Sequence, residues 1–186
     1  MRIFTGIQLA AEVKDTILRE VQPFRRAAAP VRWTVRDNIH LTLKFIGEVD
    51  DALAARAGEA LAAARIPVAP FRLRLRGFGK FPAAGGLDVI WAGVEASPPL
   101  GSLFAGIEAA LRPLGIEPDA RPFHPHVTLG RNKVRFDFQA LFSLLAEKSS
   151  LFLGEWPVAS FQLFSSRLAP AGPVYAILKE MPLAES

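Results

Sequence analysis

The sequence predicts an α+β fold made of two related lobes, on three observations. Segments of helical period alternate with short β-rich runs along the 186 residues. The phrase "NIHLTLKFIG" around His40 is echoed by "FHPHVTLGR" around His126, each reading His, apolar, Thr, Leu. The separation is 86 positions (126 minus 40), and the same shift carries Ile3 onto Val89, Phe4 onto Ile90, Leu18 onto Phe104 and Val21 onto Ile107. Apolar positions land on apolar positions, as in a two-fold internal repeat.

Taken in order, "RIFTGIQL" reads as a strand, and Val13, Ile17, Leu18, Val21 and Phe24 then fall on one helical face. "VRWTVRDNIHLTLKFIGEV" gives two extended pieces, with Asp37 and Asn38 turning between them and Gly47 closing the second. "DALAARAGEALAAARI" is an Ala-rich helix, and "FRLRLRGF" alternates apolar and basic residues with the period of a half-buried strand. The order then repeats. "LDVIWAGVE" is a strand; Leu100, Leu103, Phe104, Ile107, Leu111 and Leu114 share a helix face; "HVTLGRNKV" is the counterpart of "HLTLKFIGEV". A helix from about Asp137 to Lys148 and a strand "SFQLFSSRL" complete the set. "GKFPAAGG" joins the lobes as a flexible link, and "LAPAGP" turns into a last strand, "VYAILKEMPL". The whole is expected to be a single bilobal domain over 1–186, with repeats near 1–80 and 86–168 and a closing strand at 173–182.

Composition narrows the chemistry. With 51% apolar and 22% charged residues the chain can bury a substantial core. It has no cysteine, so disulfides, thiolate metal sites and a cysteine nucleophile are excluded. The N-terminal stretch lacks the apolar core and cleavage site of a signal peptide, and no window reaches a membrane span, so cytoplasmic residence is expected. A net charge of +4 mildly favours an anionic partner.

Two of the three histidines stand in the echoed motif. Side chains alternate along a strand, so His40 and Thr42 share one face while Leu41 and Leu43 take the other; His126 and Thr128 stand likewise against Val127 and Leu129. A pseudo-two-fold places the two polar pairs opposite each other across a cleft. Paired imidazoles can divide the work of base and acid near neutral pH, and threonine hydroxyls can donate to an anion held between them. That set suits in-line displacement at a phosphodiester, with no protein nucleophile required. Arg131, three residues beyond Thr128, can add fixed positive charge.

Other side chains have plainer readings. Pro125 breaks the ladder beside His124, which is expected to be exposed or structural, although His124, His126 and His40 together leave open a three-histidine zinc site. Arg72, Arg74 and Arg76, with Lys80 beyond them, form the polar face of one strand; this is an ordinary solvated face or a track for an RNA backbone. Phe45, Phe78 and Trp91 are expected mostly in the core, one of them near enough to the cleft to stack on a base.

Four stretches in order, "MRIFTGIQL", "VRWTVRDNIHLTLKFIGEV", "FHPHVTLGR" and "FQLFSSRLAPAGPVYAIL", resemble the two-histidine phosphoesterase superfamily, and within it the RNA 2′,3′-cyclic phosphodiesterases historically called 2′-5′ RNA ligases. The resemblance implies antiparallel sheets with outer helices around a central groove. It implies hydrolysis of a 2′,3′-cyclic phosphate at an RNA end to a 2′-phosphate; the reaction is expected to need no metal or cofactor, and the protein to be a monomer without membrane attachment. His40 would be the proton donor and His126 the proton acceptor, with Thr42, Thr128 and Arg131 on the phosphate. The internal symmetry alone does not distinguish the two histidines. Relatives often carry a basic residue just before the central strand, where this chain has Leu87-Asp88. The competing readings are an RNA-binding module or RNA ligase using the same groove, and the zinc hydrolase.

Overall fold

The computed structural model describes residues 1–81, 89–132, 134, 137–170 and 172–184. Its elements run β1 (Arg2–Gln8), α1 (Ala11–Glu20), α2 (Gln22–Ala27), β2 (Arg32–Trp33), β3 (His40–Glu48), α3 (Asp51–Ala63), β4 (Phe71–Phe81), β5 (Val89–Val94), α4 (Pro98–Leu111), β6 (His126–Arg131), α5 (Gln139–Glu147), β7 (Phe152–Val158), β8 (Ser160–Ala169) and β9 (Gly172–Pro182). Short 3-10 turns occupy Arg36–Asn38 and Arg112–Leu114.

The strands form one curled antiparallel sheet in the order β7-β4-β5-β6-β3-β1-β8-β9, with β2 added beside β6. The two histidine strands, β3 and β6, lie next to each other at its centre, joined through Leu41 opposite Val127. On either side the halves mirror each other: β3 pairs with β1, and β6 with β5. The last strand of each repeat crosses to the other half, since β4 pairs with β5 and β7 while β8 pairs with β1 and β9.

The helices cover one face of the sheet because their apolar stripes demand it. Val13 and Ile17 of α1, Ala54, Ala57 and Leu61 of α3, Leu100, Leu103, Ile107 and Leu111 of α4, and Leu141 and Leu145 of α5 are buried there with Leu41, Leu43, Val127 and Leu129. Each fully buried aliphatic side chain contributes about 2 kcal/mol of transfer free energy. Helix starts follow their caps: the Asp50 carboxylate accepts from Leu53 N–H at 2.7 Å, and the Ser97 hydroxyl accepts from Leu100 N–H before the Pro-led first turn of α4. One ion pair enters this layer, where Lys44, 2% exposed, meets Glu108 of α4 at 2.9 Å and the Glu117 carbonyl at 2.9 Å.

Three features depart from the sequence reading. β7 is a strand that the sequence analysis leaves out, because Gly154 and Pro157 interrupt "FLGEWPV". The proline is accommodated because β7 is an edge strand of the sheet. β4 runs on through Gly79, Lys80 and Phe81 into the stretch read as a link between lobes; the rest of that stretch, with Leu87-Asp88, lies outside the described residues. Finally, Phe45 is not core but 56% exposed, for a reason found in the site. Among the described residues, no helix is long and apolar enough to cross a membrane.

Candidate active site

The open face of the sheet, opposite the helices, carries His40, Thr42, His126 and Thr128, all half-buried. Leu41 faces Val127 across the β3–β6 ladder, and the antiparallel register about that pair sets His40 beside Thr128 and Thr42 beside His126. The four predicted polar groups therefore form one cluster around a local two-fold axis.

Both rings are held in the same way. His40 Nδ1 lies 2.7 Å from the Asn38 carbonyl, and His126 Nδ1 lies 2.7 Å from the His124 carbonyl, two residues upstream in each case. A carbonyl only accepts, so each Nδ1 carries the proton and each Nε2 is left for the groove. His40 Nε2 is 2.9 Å from Thr42 Oγ1, which donates to it when the ring is neutral. The supports differ. Asn38 Nδ2 also donates to the Pro173 carbonyl at 2.7 Å, tying the His40 anchor to the start of β9. On the other strand, Thr34 Oγ1 donates to the Thr128 carbonyl at 3.1 Å and Thr34 N–H to the Leu129 carbonyl at 2.8 Å, which fixes β6.

The surroundings break the symmetry. His40 stacks on Phe4 at 4.8 Å between ring centroids and meets Tyr175 edge-on at 5.2 Å, with Phe164 nearby. Burial therefore pushes its pKa down to about 4, against the opposing pull of the Asn38 carbonyl and with the help of the Lys14 charge. His126 meets the edge of Phe81 at 4.9 Å. Its pKa is also lowered, first by burial, with the His124 carbonyl opposing and the charges of Arg131 and His124 assisting. Both shifts favour the neutral form of the ring near neutral pH.

A repeated irregularity decides what else reaches this face. In β3 the pairing steps from Thr5 opposite Lys44 to Gly6 opposite Thr42, leaving Leu43 unpaired; in β6 it steps from Ile90 opposite Gly130 to Trp91 opposite Thr128, leaving Leu129 unpaired. Leu43 and Leu129 are themselves 86 apart (129 minus 43). Each is a β-bulge, and an extra residue turns everything beyond it to the opposite face. Strict alternation would put Arg131 on the helix side of Thr128. The bulge returns it to the histidine face, where its charge acts on both His126 and Tyr175. In β3 the same bulge turns out Phe45, paired with Phe4 beneath His40.

The other residues singled out in the sequence differ in where they lie. His124 is exposed and serves through its backbone carbonyl. Among the described residues, no group of three His, Cys, Asp or Glu side chains is arranged to hold a metal, so the three histidines do not gather as a ligand set. Arg72 and Arg74 pair with Glu155, and Arg76 with Glu95 at 2.8 Å; Arg74 and Arg76 also lie over the Phe152 ring. Their charge is largely answered within the protein. Phe78 is buried, whereas Trp91 is half-buried, pairs with Thr128 and meets the Phe81 ring at 5.6 Å; it packs against Gly79, where a Cβ would come within 2.3 Å of its ring. The sequence reading missed Phe4, Phe81, Phe164 and Tyr175 around the histidines. Only their placement in the sheet reveals them, since aromatic residues in strands ordinarily mean core.

Two His-x-Thr strands paired about a local dyad, with helices behind them, are the arrangement that the resemblance to the two-histidine phosphoesterases implies. The comparisons with known proteins agree. Residues 13–169 match the model of the 2′-5′ RNA ligase superfamily, and the chain belongs to that family. It is 39% identical over 158 residues to the RNA 2′,3′-cyclic phosphodiesterase of Aeropyrum pernix, covering 84% of this chain and 89% of that one. The protein of the same name from Archaeoglobus fulgidus is 33% identical over 96% of this chain and 98% of its own. Among solved structures, the TT0787 protein of Thermus thermophilus superposes with a TM-score of 0.80 at 32% identity, over 100% of this chain and 99% of that one. Escherichia coli LigT complexed with 3′-AMP gives 0.76 at 27% identity, over 99% and 98%.

Proposed function

We propose that this protein hydrolyses 2′,3′-cyclic phosphodiester ends of RNA to 2′-phosphomonoesters, using His40 and His126 as paired acid and base and requiring no metal. The observation that carries the reading is the dyad itself: two Nε2 atoms freed for the groove by identical Nδ1 anchors, each ring beside the other strand's threonine. It is joined by the names of the relatives, several of which are RNA 2′,3′-cyclic phosphodiesterases.

In this reading the cyclic phosphate sits between the rings, its non-bridging oxygens toward Thr42, Thr128 and Arg131. His126 Nε2 takes a proton from water as the water oxygen bonds to phosphorus. The P–O3′ bond breaks on the opposite side, and protonated His40 gives its Nε2 proton to O3′. Exchange with solvent then moves a proton from His126 and returns one to His40. The assignment requires His40 to gain a proton that its burial disfavours. The negative charge of the bound phosphate favours that gain, by the same electrostatics that let a nearby anion raise an imidazole pKa.

The test is turnover of an RNA oligomer ending in a 2′,3′-cyclic phosphate, in the presence of chelator, with identification of the phosphate isomer formed. The reading expects a 2′-phosphate from the wild type and its loss in both His40→Ala and His126→Ala. A requirement for added zinc, a joined 2′-5′ product in place of the hydrolysed one, or unchanged turnover in either variant would overturn it.

A further inference from the structure

At the end of the groove, where β1 leaves the sheet for α1, a cavity of about 400 Å³ opens beside His40. Gln8, Lys14, Asp37 and Tyr175 share its wall with His40 and with aromatic and aliphatic side chains. His126, Thr128 and Arg131 do not border it. It therefore lies wholly on the His40 side of the dyad.

Lys14 is the unusual member. It is half-buried and, among the described residues, has no carboxylate within ion-pair distance. It stands near the start of α1, where the helix dipole disfavours a cation. Burial and the neighbouring Arg36 both weaken its hold on its proton, while Asp37 strengthens it. Arg36 is already engaged with Asp15 at 2.8 Å. A desolvated lysine without an ion-pair partner, facing a cavity next to a candidate catalytic ring, is placed to take an anion from outside.

The chemistry of the proposed reaction says which one. If His40 protonates the departing O3′, the ribose bearing that oxygen must lie on the His40 side of the phosphorus, and the attacking water on the His126 side. The cavity is on the ribose side. The nearest further anion of the substrate, leading away through the 5′ carbon of that ribose, is the phosphodiester joining the terminal nucleotide to the rest of the RNA. We infer that Lys14 binds this 5′ phosphate and so makes the protein select polynucleotide ends over free nucleoside cyclic phosphates. This rests on the reading of His40 and His126 given above.

The test compares kcat/KM for a nucleoside 2′,3′-cyclic phosphate with that for the same nucleoside carrying an added 5′ phosphate, in wild type, Lys14→Met and Lys14→Arg. One charge-assisted contact predicts a wild-type preference of about tenfold or more for the 5′-phosphorylated substrate. The preference should reside in KM, collapse toward one in Lys14→Met, and survive in Lys14→Arg. A wild type that turns over both substrates equally, or a Lys14→Met enzyme that keeps the preference, would overturn the inference and leave the cyclic phosphodiesterase reading intact. A wild type that turns over neither these nor the RNA oligomer would remove both.

Discussion

Leu41 and Val127 are cross-strand partners at the centre of the sheet and also occupy equivalent positions in the two repeats, 86 residues apart (127 minus 41). The local symmetry axis therefore passes between them, and the residues flanking each, His40 with Thr42 and His126 with Thr128, are set around one point. These four groups gain their proximity from that single register. A slip of one residue would send one pair under the helices.

Removal of either ring should be severe. His40→Ala and His126→Ala are each expected to lower kcat by about 10²- to 10⁴-fold, the usual worth of a positioned acid or base. Because the proposed mechanism has the two act in one step, the double variant should be little worse than the single ones, which steady-state kinetics on a cyclic phosphate substrate will read directly.

The pH profile should be shifted toward acid in the free enzyme. Both histidines have pKa values below the ordinary imidazole value, His40 near 4. The bell for kcat/KM, which reports the free enzyme, is expected to centre below pH 6.5, and that for kcat at higher pH, because bound phosphate raises the pKa of the rings. Coincident bells would contradict this electrostatic account.

Arg131→Ala should act on both binding and pH. Loss of one charge-assisted contact is expected to lower kcat/KM by about 10- to 100-fold. Arg131 depresses the His126 pKa, so its removal should move the titration of that ring to higher pH, measurable by NMR of the imidazole protons.

Stability should fall on acidification through the His40 ring. His40 is neutral when folded and titrates near 4, whereas an unfolded histidine titrates near 6.5, so between these values the unfolded chain binds more protons. The stability of the fold is thus complete above pH 6.5 and declines toward pH 4, by roughly 3 kcal/mol from this group. Denaturant unfolding of His40→Gln across this window should show a shallower slope than the wild type.

The ion pair under the sheet gives a last check. Glu108→Ala leaves the enclosed Lys44 ammonium group without its carboxylate, and is expected to cost about 3–5 kcal/mol. A paired change to Lys44→Met and Glu108→Leu should recover much of that loss, as thermal unfolding of the three variants will reveal.

Much of this molecule is legible in its sequence. Periodicity located the helices, and the echo between "NIHLTLKFIG" and "FHPHVTLGR" located His40, His126 and their threonines, since alternation along a strand is a local rule that the sequence carries openly. What escaped was non-local. β7 was missed because Pro157 is compatible with a strand only at an edge, and edges exist only once the sheet is assembled. The face taken by Arg131 and Phe45 was decided by bulges at Leu129 and Leu43, which depend on the partner strands β5 and β1. The difference between His40 and His126 came from Phe4 and Tyr175, brought from opposite ends of the chain to enclose one ring more than the other. The sequence determined which groups could do the chemistry, because type and alternation are written residue by residue. Tertiary structure decided how close they stand, which way they face and how readily each holds a proton, because distance, orientation and desolvation belong to neighbours remote in the chain.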